Sequence, residues 1–199
     1  MVPKTLSKHE LVAVLPPVPS TDSFEIAPGV RALRAFTPAE AAVITSQAAV
    51  SPKWFPAVIN ADLEIDRAIR DAEILFEEVH RPHSDAYRER LAAITRALAD
   101  SIAPQSTMKE IQLVRYGPGG RYADHRDGPT PGAEGRVLSL VCYLNEHFVG
   151  GETTFLELDV SVSPLTGLVI AFPPAYLHRA EPIVEGKKYA ITAWYHDAY

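Results

Sequence analysis

The spacing of apolar residues changes character near residue 107. Upstream, the pattern is helical. Residues 85–103 set Leu91, Ile94, Leu98 and Ile102 at intervals of three to four, which predicts an amphipathic helix, and residues 62–79 carry the same kind of spacing and are predicted as another. Thr37-Pro38-Ala39-Glu40 places a capping hydroxyl, a proline at the first helical position and a capping-box glutamate in order, opening a helix predicted to reach about Val50. Residues 1–36 are proline-rich and irregular, with FEIAPGVRALRAF as the best candidate for a lead-in strand. Downstream of 107 come short β-rich runs, MKEIQLVRY, RYADHRD, RVLSLVCYLN, ETTFLEL, GLVIAF, YLHRAEPI and KKYAITAWYH, separated by Gly, Pro and Asn. Many short strands at this spacing predict a sandwich or barrel. The expected architecture is mostly β with α: one domain over 1–199, with a jelly-roll core at 107–199 and a segment at 1–106 whose helices buttress one face.

Composition narrows the class. A chain of 199 residues can bury a core without disulfides, and 47% hydrophobic with 22% charged residues is ordinary for a globular domain. No apolar run approaches the roughly 20 residues of a membrane helix. The run LVAVL ends at Pro16-Pro17, short of the about 7 to 15 apolar residues of a secretory signal, so a cytoplasmic location is expected. A net charge of −6 argues against a nucleic-acid partner. Cys142 is the only cysteine, inside VLSLVCYL, which excludes disulfides and a thiolate zinc site and leaves it as a small buried hydrophobe.

Candidate chemistry concentrates in GGRYADHRDGPTPG, residues 119–132. Residues i and i+2 of a strand share a face, so His125 and Asp127 would present an imidazole and a carboxylate together. That pair alone is weak, because seven histidines and ten aspartates in this length produce roughly 0.35 such matches by chance. The H-R-D triplet of a kinase catalytic loop is excluded, since Gly128-Pro129 follows and no D-F-G exists. His80 and His83 flank Pro82, which breaks the helix, and are expected to be solvated loop residues. The glycine pairs Gly119-Gly120 and Gly150-Gly151 are expected to serve turns or close backbone approach. His178, in another β-run, would complete a facial set of two histidines and one carboxylate, the arrangement of non-haem Fe(II) oxygenases. Such an oxygenase draws electrons from a co-substrate, and an acidic chelator such as 2-oxoglutarate needs a cation. The last β-run offers one: alternation puts Lys188, Ala190, Thr192 and Trp194 on one face, which reads as a pocket wall.

QLVRYGPGGRYADHRD, CYLNEHFVGGETTF, SPLTGLVIAF and LHRAEPIVEGKKYAITAW follow one another in an order that resembles the prolyl 4-hydroxylase-like branch of the Fe(II)/2-oxoglutarate-dependent dioxygenases, over about residues 107–196. LRAFTPAEAAVI is similar to that family's lead-in strand and first helix. The resemblance implies a double-stranded β-helix with His125, Asp127 and His178 as iron ligands. It further implies Lys188 holding the far carboxylate of 2-oxoglutarate, Tyr116 and Tyr143 contacting the co-substrate, and Trp194 lining the same pocket. Fe(II), 2-oxoglutarate and O₂ are the implied cofactor and co-substrates, with ascorbate as a stimulant. Asp127 implies hydroxylation ahead of halogenation, because it fills the position a halide would take. A compact chain with no appended peptide-binding region leads to a free amino acid or other small metabolite as the expected substrate, with a prolyl residue of a peptide or cytosolic protein as the alternative. Arg121, Tyr122 and Arg126 are candidate substrate contacts. Two rival readings stand beside it. One is a non-oxidative metal-binding barrel, an isomerase or ligand-binding module; the other is a metal-free domain in which His125 and Asp127 bond only to each other.

Overall fold

The computed structural model describes residues 3–59, 64–76, 83–129 and 133–198. The segment read as irregular begins with β1 (Lys4–Leu6) and α1 (Lys8–Val14). Ser7 and Glu10 form a reciprocal capping box, a sequence signal as good as that at Thr37. The lead-in strand becomes a hairpin of β2 (Phe24–Ala27) and β3 (Val30–Arg34). Helix α2 (Pro38–Ala49) starts on the predicted Thr37/Glu40 box, and α3 (His83–Ile102) covers the predicted 85–103 helix.

The helix expected at 62–79 is not formed in its described part. Residues 64–76 instead hold β5 (Arg70–Asp71) and β6 (Glu73–Phe76), while 77–79 and the loop histidine His80 lie outside the described residues. The reason lies in burial on both faces. Ile74 and Leu75 are adjacent, both fully buried, and belong to different apolar clusters, as a strand with a covered front and back requires. The doublet imitates helical spacing, and pairing with a neighbouring strand overrides it.

The remaining strands are β4 (Phe55–Pro56), β7 (Thr107–Tyr116), β8 (Arg121–His125), β9 (Arg136–Tyr143), β10 (Val149–Gly150), β11 (Thr153–Phe155), β12 (Val160–Val162), β13 (Leu168–Phe172), β14 (His178–Ala180), β15 (Ile183–Glu185) and β16 (Lys188–His196). The larger sheet runs β2-β3-β13-β9-β16-β7-β6-β4 and the smaller β1-β12-β11-β14-β8-β5, with β10 paired to β15. Two facing sheets with helices form the predicted double-stranded β-helix, mostly β with three helices among the described residues.

Alternation along the central strands sorts the two sides of the larger sheet. Ile191, Ala193 and Tyr195 of β16, with Leu138, Leu140 and Cys142 of β9, pack in one cluster with Tyr87, Leu91 and Ile94 of α3. The Tyr195 phenol lies 2.9 Å from the Thr95 hydroxyl, which satisfies both in that dry layer. Lys188, Ala190, Thr192 and Trp194 face the space between the sheets. Two tight places fix the frame. Gly167 has φ +81°, and a Cβ there would sit 1.9 Å from the Phe36 carbonyl oxygen. At one end, β5 pairs with β8 in the smaller sheet and β6 with β7 in the larger, with Ala72 alone between them.

Candidate metal centre and its pocket

His125 ends β8 and His178 begins β14, and the two are directly opposite in an antiparallel pair. Asp127 lies two residues beyond the end of β8 rather than within it. Its amide donates to the Pro174 carbonyl at 2.9 Å and its carbonyl accepts from Arg136 Nη1 at 3.0 Å, so a loop fixed at both peptide groups replaces the expected strand alternation. Candidate donor atoms of His125, Asp127 and His178 lie within 4.8 Å of one another. His125 Nε2 is 3.5 Å from Asp127 Oδ1, and His178 Nε2 is 3.8 Å from Oδ2.

Each imidazole turns Nδ1 toward a backbone carbonyl, Ala123 at 2.8 Å for His125 and Tyr176 at 2.9 Å for His178. An Nδ1–H donated there leaves the Nε2 lone pair facing the cluster. The Tyr122 ring stacks on His125 at 3.5 Å and 13°, and Phe172 meets His178 edge-on at 4.7 Å. Burial pushes His178 down to about 4, so its ring is neutral at pH 7. Burial alone would raise the Asp127 carboxyl, but the hydrogen bond from His125, the charges of both histidines and the adjacent Ser139 hydroxyl hold it well below the ordinary carboxylate range. Two imidazole nitrogens and one ionised carboxylate oxygen, converging with cavity on the remaining side, suit a six-coordinate ferrous ion.

That cavity has a volume of about 280 Å³. Lys188 is 2% exposed inside it, donates from Nζ to the Gly151 carbonyl at 2.7 Å, and lies 5.3 Å from the Tyr116 ring centre and 5.1 Å from that of Tyr143. Burial pushes its ammonium down to about 7. A buried lysine whose bonded partner is a carbonyl, lining a cavity beside a cluster of candidate metal ligands, suits the distal carboxylate of a dicarboxylic acid.

The other named residues separate. Tyr116 lines the cavity, with its phenol pushed up by burial against the opposing effect of Arg70. Trp194 also lines it; its buried Nε1 has no partner among the described residues, and Arg136 stacks 4.1 Å over its ring. Tyr143 sits in the core cluster with Phe155 and Phe172 and donates its hydroxyl to Thr153 Oγ1 at 2.7 Å, behind the cavity wall. Tyr122 and Arg126 border the cavity, Arg126 paired with Glu157 at 2.6 Å. Arg121 does not border it and bonds the Ala68 carbonyl at 3.0 Å. Sequence reasoning missed Arg70, Gln112 and Arg136, which also line the cavity. Arg70 was hidden by the helical reading of 62–79; the interior face of β7, 112, 114 and 116, contained the signal for Gln112.

A jelly roll presenting two imidazoles and a carboxylate beside a buried ammonium defines a mononuclear metal-site scaffold. Residues 111–196, the β-rich part that carries the cluster and Lys188, match the family described as the 2OG-Fe(II) oxygenase superfamily. The implied cofactor and co-substrate, Fe(II) and 2-oxoglutarate, are those predicted from the motifs. The chain is 25% identical over 145 residues to a PKHD-type hydroxylase of Picosynechococcus sp., a match covering 71% of this chain and 62% of that protein. It is 30% identical over 110 residues to prolyl 4-hydroxylase subunit alpha-1 of Gallus gallus, covering 46% of this chain and 21% of that subunit. The chain therefore spans less than two thirds of either relative's length. A prolyl hydroxylase from Trichoplax adhaerens, solved with a hypoxia inducible factor peptide fragment, superposes with a TM-score of 0.69 at 18% identity, covering 85% of this chain and 84% of that one; this likeness is one of fold.

Proposed function

We propose that this protein is an Fe(II)- and 2-oxoglutarate-dependent hydroxylase acting on a prolyl residue of a peptide or protein. The observation that carries the reading is the shared cavity: the His125–Asp127–His178 cluster opens into the same space as the buried Lys188. The named activity of the prolyl 4-hydroxylase relative supports a prolyl substrate ahead of the free amino acid expected from the chain's compactness.

When bound, Fe(II) and 2-oxoglutarate supply the oxidising chemistry, in which one atom of O₂ enters a C–H bond as hydroxyl and the other enters succinate, with release of CO₂. The protein's part is to hold and to exclude. His125, Asp127 and His178 would hold the metal from one side and leave three of six positions to the cavity. Their orientation is set before binding by the two Nδ1 contacts, the Tyr122 stack and the Arg136 bond to the Asp127 carbonyl. Lys188 would receive the far carboxylate, which restores the full charge of an ammonium weakened by burial. Tyr116 and Trp194 line the space, and Asp127 would take the metal position that a halide would need.

The test uses purified protein with Fe(II), ascorbate, 2-oxoglutarate and a panel of proline-containing peptides and free amino acids. Succinate formation coupled to a gain of one oxygen in a peptide, abolished by His125→Ala, is the expected result. Stoichiometric metal without succinate would favour a non-oxidative metal-binding barrel, and no bound metal would favour a structural domain.

A further inference from the structure

We infer that Arg70 anchors a carboxylate carried by the substrate, so that the pocket selects an anionic molecule. The inference rests on the hydroxylase reading and narrows its substrate class.

Arg70 lies on β5 opposite Tyr122 of β8, is 7% exposed and lines the cavity. Its guanidinium is incompletely satisfied. Nη1 donates to the Val58 carbonyl at 2.8 Å, Nη2 is a long 3.4 Å from Gln112 Oε1, the guanidinium also reaches the Tyr116 phenol, and buried Nε has no partner among the described residues. The group stacks 4.8 Å over the Tyr122 ring, which itself lies on the His125 imidazole. No ion pair to Arg70 occurs among the described residues, whereas every other arginine lining the cavity has an acidic partner: Arg126 with Glu157, Arg179 with Glu181 and Asp124, and Arg136 with Glu110.

Charge balance turns this into a statement about the ligand. With those three arginines paired, the unpaired charges facing the cavity among the described residues are Asp127, Lys188 and Arg70. A ferrous ion and a dicarboxylate cancel each other, and Asp127 and Lys188 do the same. The Arg70 cation is left over, in a place where an unmatched charge is costly. One further negative charge, brought by the substrate, neutralises the filled site. A carboxylate fits the planar fork of a guanidinium, and the Gln112 amide on the same wall offers N–H donors to it.

The experiment measures binding without turnover, by calorimetry on protein loaded with Zn(II) and 2-oxoglutarate. Probes are L-proline and its amide, a prolyl tripeptide with free C-terminus and its amide, and the amidated tripeptide carrying an aspartate. At least one acid should bind about tenfold or more tightly than its uncharged counterpart. The probes also separate a terminal carboxylate from an acidic side chain. Arg70→Met should erase the preference and Arg70→Lys should keep part of it, a point charge without the fork. Equal binding of acids and amides, no binding of any probe, or a preference that survives in Arg70→Met would overturn the inference. So would a loss of 2-oxoglutarate affinity in Arg70→Met as large as in Lys188→Met, which would assign the guanidinium to the co-substrate. If Arg70→Met does not fold, the wild-type comparison and Arg70→Lys still decide. Failure of the hydroxylase reading is separate: no succinate from any substrate, with the acid preference in binding intact.

Discussion

Replacing Lys188 by methionine should make the ligand-free protein more stable while removing its affinity for 2-oxoglutarate. The side chain is 2% exposed and its ammonium is pushed from 10.5 down to about 7 by burial. At about 1.4 kcal/mol per unit, holding the charge there costs about 5 kcal/mol, of which the hydrogen bond to the Gly151 carbonyl is already a part-compensation that methionine forfeits. Methionine of similar length should therefore gain about 2 to 4 kcal/mol at pH 6. The sign with pH is fixed by linkage. Between about 7 and 10.5 the folded lysine is neutral and the unfolded one is protonated, so wild-type stability rises with pH across that window. The advantage of Lys188→Met is thus full below pH 7 and shrinks by about 1.4 kcal/mol per pH unit above it. Urea denaturation of both proteins, free of metal and 2-oxoglutarate, at pH 6, 8 and 9.5 reads the difference directly. A variant less stable than wild type at pH 6, or a gap that does not change with pH, would refute the reasoning. Calorimetry on the same variant should show 2-oxoglutarate affinity at least tenfold weaker, since a charge-assisted hydrogen bond contributes about 1.5 to 3 kcal/mol.

Other outcomes follow from the same geometry. His178→Ala should weaken Fe(II) binding at least a hundredfold in anaerobic equilibrium dialysis and abolish succinate formation. Metal at about a thousandfold over its dissociation constant should raise the unfolding free energy of the wild type by about 4 kcal/mol, and that increment should vanish in His178→Ala. Gly167→Ala, whose Cβ would fall 1.9 Å from the Phe36 carbonyl oxygen, should cost 3 kcal/mol or more (~) in denaturant melts, whereas Gly117→Ala, with nothing within 4 Å, should cost under about 1 kcal/mol. Leu91→Ala, emptying a fully buried site between α3 and the larger sheet, should lose about 2 to 5 kcal/mol in the same measurement.

The parts of the fold that local chemistry specifies were readable in the chain. The Thr37/Glu40 box set the start of α2, the spacing of Leu91 and Ile94 set the buried stripe of α3, and alternation assigned Lys188, Ala190, Thr192 and Trp194 to one face of β16. What local chemistry does not specify was lost. Ile74-Leu75 is an apolar doublet whose two sides are covered by different layers, and no window of sequence contains those layers. That error concealed Arg70, because a residue placed on a helix cannot be aligned with Tyr122 across a sheet. Asp127 could be paired with His125 by spacing, but its departure from the strand depends on Pro174 and Arg136, distant in sequence. Tyr143 shows what the motif does not contain: its hydroxyl donates to Thr153, a partner ten residues away that the YLN triplet does not specify.

The crossing at Ala72 has a mechanical consequence. Residues 70–76 lace the two sheets together at one margin, since β5 belongs to one and β6 to the other. The gape of the sandwich at that margin is therefore governed by a stitch carrying none of the three clustered ligands, and grafting this heptad between relatives should retune which guest is admitted while the catalytic floor stays as it was.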